Sequence, residues 1–173
     1  MKQCIFFVVG NYGVGKSTAI EQPVIREHGI LLEIGSNLYV LGTHIRGADS
    51  VSHIPKEQVM KIVEQNNDKN IIVTGNYYAQ IKDVIQMSKR FRCVIIYMAT
   101  SYENNAKRIA ERGKNINIDT YNSKLSIHLS MIRQTKRYSK VYIVDNNKPK
   151  EIVKQEIFKI IHNETNRPNS STT

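Results

Sequence analysis

Gly10-Asn11-Tyr12-Gly13-Val14-Gly15-Lys16-Ser17 is the stretch on which the reading of this chain turns. It fits the pattern G-x-x-x-x-G-K-[ST], and it stands between an apolar run, Cys4 to Val9, and a segment of helical length that begins near Lys16. Glycines let the backbone fold tightly enough for successive N–H groups to surround a phosphate, and a helix starting at Lys16 adds its positive dipole end. In such a loop Lys16 reaches β- and γ-phosphate oxygens, Ser17 offers a hydroxyl to Mg²⁺, and Thr18 helps hold the α-phosphate. Gly10, Asn11, Tyr12, Gly13, Val14, Gly15, Lys16, Ser17 and Thr18 are therefore expected to bind ATP, with Ser17 as the metal ligand.

Outward from the loop, short apolar β-branched runs alternate with amphipathic stretches, the pattern of strand-helix-strand units and a parallel sheet. The strand candidates are Cys4 to Val9, Ile30 to Ile34, Asn70 to Thr74, Cys93 to Met98 and Lys140 to Val144. Their nearly uniform apolarity predicts strands covered on both faces. Helices are expected over residues 16–28, 55–65, 78–89, 101–112, 121–139 and 148–162. Ser101 is a capping residue for the fourth, Gly113 closes it, and Pro55 and Pro149 belong in first turns. Pro23 should bend or shorten the first helix, because it removes an amide donor. Gly35 to Ser52 shows no helical period and reads as a long excursion, and Glu164 to Thr173 reads as a disordered tail behind a single domain, 1–163.

Composition narrows the partners. The 173 residues carry 25 Lys+Arg against 15 Asp+Glu, a net charge of +10. Eight basic and three acidic residues fall between Lys82 and Lys114, and five basic with no acidic between Lys124 and Lys140, so two segments hold the whole excess. That suits an anionic partner, either nucleotide phosphates or a polynucleotide backbone. Cys4 and Cys93 sit inside apolar runs and read as buried, inert thiols. No apolar run approaches the roughly 20 residues needed to cross a bilayer, and the N-terminal run is too short for a secretory signal. A soluble chain is expected, in the cytoplasm, or in a host's cytoplasm if the chain is viral.

The sequence resembles P-loop kinases of the nucleoside and nucleotide kinase type. The strand end Tyr97-Met98-Ala99-Thr100 leads through Ser101-Tyr102-Glu103 into Arg108-Ile109-Ala110-Glu111-Arg112-Gly113, which resembles the helix and arginine-bearing lid of that family, around residues 108–120. A basic helix, the run Val141-Tyr142-Ile143-Val144 and the turn Asp145-Asn146-Asn147-Lys148 follow, the last matching the turn that passes near adenine. The resemblance implies an α/β P-loop NTPase three-layer sandwich: a five-stranded parallel sheet, order 2-3-1-4-5, with helices on both faces and the site at the carboxyl ends of the strands. It also implies roles. Arg108 and Arg112, spaced i, i+4, would face the transferring phosphoryl group, with Lys16 as the third cation.

One departure concerns the acids. The third strand ends Ile72-Val73-Thr74-Gly75-Asn76, where relatives carry an aspartate linked to Mg²⁺. Two other carboxylates are candidates for base or metal partner: Glu33, at the expected carboxyl end of the second strand, and Asp49, in the loop expected to meet the acceptor. Asp49 is favoured slightly as base or anchor. His28, His44, His53, His128 and His162 show no metal-ligand spacing; four of the five read as surface residues, and His44 and His53 flank the acceptor loop.

Tyr39-Val40-Leu41-Gly42 through Gly47-Ala48-Asp49-Ser50 is similar to a stretch of phage-type P-loop kinases that phosphorylate 5-hydroxymethyluracil within DNA. The resemblance implies transfer of the ATP γ-phosphate to that hydroxymethyl group, with DNA as partner and the basic excess around the mouth of the site. The alternative is a kinase of a free nucleoside, nucleotide or other small metabolite. A non-catalytic nucleotide-dependent DNA-binding module and a hydrolytic switch are the remaining readings.

Overall fold

In the computed structural model, which describes residues 2–43 and 47–167, seven strands form one sheet. They are β1 (Cys4–Gly10), β2 (Arg26–His28), β3 (Leu31–Gly35), β4 (Leu38–Leu41), β5 (Asn70–Thr74), β6 (Arg92–Ala99) and β7 (Ser139–Asp145). The sheet order is β2-β3-β4-β5-β1-β6-β7. The pairs from β4 to β7 are parallel, whereas β2–β3 and β3–β4 are antiparallel. The expectation of five parallel strands is thus corrected to a mixed sheet of seven. Its parallel part keeps the 2-3-1-4-5 order, but β4 fills the second place and not the run at residues 30–34.

The reason is a hairpin. After β3 the chain turns through Asn37, at φ 51°, and returns as β4, so the excursion expected from Gly35 begins with a strand. Asparagine tolerates this left-handed conformation better than most residues. β4, only four residues long, then lies parallel to β5 with Tyr39 opposite Ile71.

Side chains alternate across the sheet, as strand geometry requires. Ile5, Phe7 and Val9 face one core with Ile71, Val73 and Ile95, covered by α2 (Lys56–Gln65), α3 (Ile81–Met87) and α5 (Ile118–Thr135). Phe6, Val8, Ile72, Ile96 and Met98 face the other, covered by α1 (Lys16–Ala19) and α6 (Lys150–Thr165). These are the three layers expected. α4 (Tyr102–Ala110) lies over the carboxyl end of β1, where Asn105 and Arg108 bond the loop after it.

Three element readings change. α1 has four residues and not thirteen, with Pro23 four residues beyond its end and β2 beginning at Arg26. β7, at the edge of the sheet, is only partly buried and so not covered on both faces, with Ile143 65% exposed. α6 continues to Thr165, two residues into the expected tail, with Glu164 buried. Of the histidines, His28, His53 and His162 are exposed and His128 is buried, while His44 lies outside the described residues. Cys4 and Cys93 are free and buried as expected, and burial pushes the Cys93 thiol up to about 12.

Candidate active site

The phosphate loop follows β1 without interruption. Gly13 and Gly15 sit at φ 80° and 85°, a left-handed conformation that only glycine adopts without strain, and α1 starts at the next residue, Lys16. The loop is held from three sides. Asn76, just past β5, donates from Nδ2 to the Gly10 carbonyl at 2.9 Å and accepts from the Gly10 N–H at 3.3 Å, continuing the β1–β5 pairing with a side-chain amide. Asn105 of α4 donates to the Tyr12 carbonyl at 2.9 Å. Arg108 and Asn146 both donate to the Val14 carbonyl, at 3.2 and 2.8 Å, and Arg108 also reaches the Asn146 carbonyl at 2.8 Å.

Lys16 Nζ folds back over the loop and donates to the carbonyls of Gly10 and Asn11, both at 3.1 Å. Burial pulls its pKa down to about 8; Asp49 opposes that shift and Arg112 adds to it. Both groups therefore stand close enough for their charge to be felt at Lys16. The Asp49 carboxylate arrives through Thr74, the residue found where an aspartate was sought. Thr74 Oγ1 accepts the Ala48 N–H at 3.2 Å and fixes the 3-10 helix Gly47–Val51 against the end of β5. A methyl group built on Gly75 would stand 3.9 Å from Asp49 Oδ1.

Glu33 is elsewhere. Because β3 runs antiparallel, its carboxyl end points away from the site, and through Tyr39 and Ile71 Glu33 is level with Ile5. At about 3.3 Å per residue that is roughly 16 Å along the strands from Gly10. Its carboxylate meets His28 Nε2 at 3.0 Å. The expectation that Glu33 is a base or metal partner is corrected on that ground.

Arg108 and Arg112 do not share a helical face, because α4 ends at Ala110. Gly113, at φ 70°, closes it with two bonds, Gly113 N–H to Ala110 and Lys114 N–H to Ile109. Both arginines nevertheless line one cleft of about 610 Å³ beside the phosphate loop, with Gly13, Thr18, Asn146, Lys107, Lys150 and Lys154. Its five cations outnumber the three carboxylates of Glu21, Glu111 and Glu151, and this net positive charge beside the loop suits a nucleotide. The loop glycines, Lys16, Ser17 and this cleft together suit ATP, and Ser17 with Asp49 suits a Mg²⁺ that remains largely coordinated by phosphates and water. Among the described residues there is no cluster of three His, Cys, Asp or Glu that could hold a metal on its own.

A second cleft of about 610 Å³ opens on the opposite face of the sheet. Val9, Asn76, Tyr77 and Gln80 line one side, and Ser126, His128 and Ser130 of α5 the other. Sequence reasoning missed Asn105 and His128, which sit inside helices with no local signal. Asn76 and Asn146 lie in quoted turns but were given no role.

The basic excess divides. A helix that crosses over a parallel sheet runs opposite to the strands, so the last turns of α3 and α5 lie at the far edge from the phosphate loop. Lys89, Arg90, Arg133, Lys136 and Arg137 are there, as are Arg92 and Lys140 at the amino ends of β6 and β7. Lys82, Lys107, Arg108, Arg112, Lys114 and Lys124 belong to the near edge. The expectation of a wholly active-site basic surface is corrected accordingly.

No protein-family model matches the chain, and no curated protein is significantly similar to it. Among solved structures it is similar to an unliganded sugar kinase from a Janibacter species, at 9% identity and TM-score 0.55, covering 94% of this chain and 95% of that one. It is also similar to deoxyadenosine kinase from M. mycoides, solved with products, at 13% identity and TM-score 0.50, covering 91% and 98%. The chain has the α/β fold of these kinases. No helix among the described residues is long and apolar enough to cross a membrane.

Proposed function

We propose that the chain is an ATP-dependent phosphotransferase that moves the γ-phosphate of ATP to a hydroxyl group. The observation that carries this reading is the phosphate loop with Lys16 folded over it and, within reach of that charge, Asp49 on the 3-10 helix that Thr74 fixes at the neighbouring strand end. Residues 10–18 bind the triphosphate, and Lys16 leaves its two carbonyl partners to follow the moving phosphoryl group. Mg²⁺, held by Ser17 and the phosphates, would supply neutralisation of phosphate charge. Asp49 orients the acceptor hydroxyl or takes its proton. Arg112 adds a cation near Lys16, while Arg108, committed to two loop carbonyls, positions the loop.

For the acceptor, the cleft bounded by Asn76 and α5 favours a small hydroxyl compound, such as a nucleoside or another metabolite, over a polymer. The second reading, transfer to the hydroxymethyl group of 5-hydroxymethyluracil in DNA, is favoured by the six near-edge cations, which include Lys114 and Lys124.

Transfer of labelled γ-phosphate from ATP·Mg²⁺ tests both. Lys16→Ala is expected to lower turnover on the order of 10³-fold with any acceptor, by loss of a charge that develops its effect in the transition state. Turnover within a few-fold of wild type in that variant would refute the assignment.

A further inference from the structure

The two clefts beside the phosphate loop differ in charge. The one beside α4 and α6 is lined by five cations, Lys107, Arg108, Arg112, Lys150 and Lys154, against three acids, Glu21, Glu111 and Glu151, a net positive charge that suits the donor nucleotide. Among the described residues, those that line the one between the Asn76 turn and α5 include no Lys, Arg, Asp or Glu. Its polar atoms come from neutral side chains, Gln80, Ser126 and Ser130 among them, and its apolar wall from Ile81, Ile127 and Met131. An ionised ligand group buried there would touch no opposite charge among these lining residues, which is costly.

The wall of this cleft is fixed. Lys56, itself buried, donates to the Tyr77 carbonyl and to Asp83 Oδ2, both at 2.6 Å, and the Asp83 carboxylate also caps α3 by accepting the Gln80 N–H. Lys56 is thus consumed by its own ion pair.

His128 stands out on the opposite wall. It is 3% exposed, its ring lies 5.8 Å from that of Tyr97, and its Nε2 is buried with no hydrogen-bond partner. A buried polar atom left unsatisfied costs on the order of 1–3 kcal/mol. Burial, with the charges of Lys16 and Lys124, pushes its pKa down to about 4, so the imidazole is neutral near pH 7. A phenyl ring would fill the same space without that cost, which implies that the nitrogen has a use outside the free protein's own packing.

We infer that this neutral cleft is the acceptor site, that it selects an uncharged, nucleoside-sized alcohol over its phosphorylated counterpart, and that His128 is a specificity-determining residue whose Nε2 bonds the acceptor. This rests on the phosphotransferase reading above. Lys16 and Lys124 lie outside the lining, so their charges reach the cleft from a distance and not by contact with a ligand.

The test is γ-phosphate transfer with three sets of acceptors: nucleosides, their 5′-monophosphates, and DNA containing 5-hydroxymethyluracil. It is paired with nucleoside binding by equilibrium dialysis, ATP binding and thermal unfolding of wild type and His128→Phe. The expected result is a kcat/KM at least about tenfold higher for a nucleoside than for its monophosphate. His128→Phe should weaken nucleoside binding and raise its KM about tenfold. ATP affinity should not change, and the melting midpoint should be no lower than that of wild type. Ile127→Arg, which places a cation at the exposed rim, should narrow the gap between nucleoside and monophosphate. Preference for a monophosphate or for DNA, or a His128→Phe variant with unchanged nucleoside KM, overturns the inference and leaves the phosphotransferase standing. No transfer to any acceptor, with ATP binding intact, overturns both.

Discussion

Lys16 carries a charge that the fold itself makes easy to remove. Burial in its loop, with the charge of Arg112 adding to it, pulls its pKa down to about 8, against about 10.4 for a free lysine. A bound triphosphate favours the protonated form, so binding takes up a proton wherever the free protein has lost it. ATP affinity should therefore be level below pH 8 and fall above it, roughly tenfold weaker at pH 9 than at pH 7. Titration of ATP binding from pH 6.5 to 9.5 checks this, and Lys16→Ala should bind weakly with no such break. Asp49 and Glu33 separate at the same scale. Asp49→Asn should lower kcat by about 10²-fold or more through its action on the acceptor proton, while Glu33→Gln, whose carboxylate meets exposed His28, should leave kcat within twofold. Equal losses in the two variants would remove Asp49 from the chemistry.

At the scale of elements, the phosphate loop and α4 fit each other through one glycine. A Cβ on Gly13 would lie 2.6 Å from Ile109 Cγ1, and Gly13 is at φ 80°. Gly13→Ala should cost about 1–3 kcal/mol of stability, from backbone strain and from the clash together. Combining it with Ile109→Ala removes the clash but not the strain, so chemical denaturation of the four proteins should show a double variant less destabilised than the sum of the singles. An additive result would mean that α4 moves aside and that its contact with the loop is loose. The hairpin β3–β4 shows the limit of local reading: Leu38–Leu41 is too short to announce itself, and its place is set by pairing with β5.

Across the whole molecule, the edge strand β7 and the last helix are joined at Glu164. Its side chain is 6% exposed and meets Lys140 at 2.6 Å, with Tyr142 Oη also donating to it, while its backbone carbonyl accepts from Arg92 and lies 3.6 Å from Cys4 Sγ. Burial disfavours the carboxylate, but Lys140 and Tyr142 outweigh that and hold its pKa below the usual value. Glu164→Ala should cost about 1–3 kcal/mol, since it strips a buried network of its acceptor, and should lower the melting midpoint without altering ATP affinity. An unchanged midpoint would mean that α6 is anchored by Val153, Ile157 and Ile161 alone.

The sequence by itself determined the parts whose signals are local. The phosphate loop needs glycines and a lysine at fixed spacing, and those residues stand at 10 to 17 whatever the rest of the chain does. β1, β5 and β6, covered on both faces, also announce themselves through unbroken apolarity, as does the cap at Ser101, which accepts the Asn104 N–H. Tertiary structure decided what depends on direction and partner. Glu33 and Asp49 are equal as acids in the sequence, yet the antiparallel course of β3 carries one away from the loop, while Thr74 draws the other toward it. The basic residues likewise form two runs in the chain but two edges in space, because a crossover helix reverses direction. His128 was beyond local reading altogether: burial and an unsatisfied nitrogen are properties of what surrounds a side chain, and its surroundings come from β6 and the cleft between α5 and the Asn76 turn.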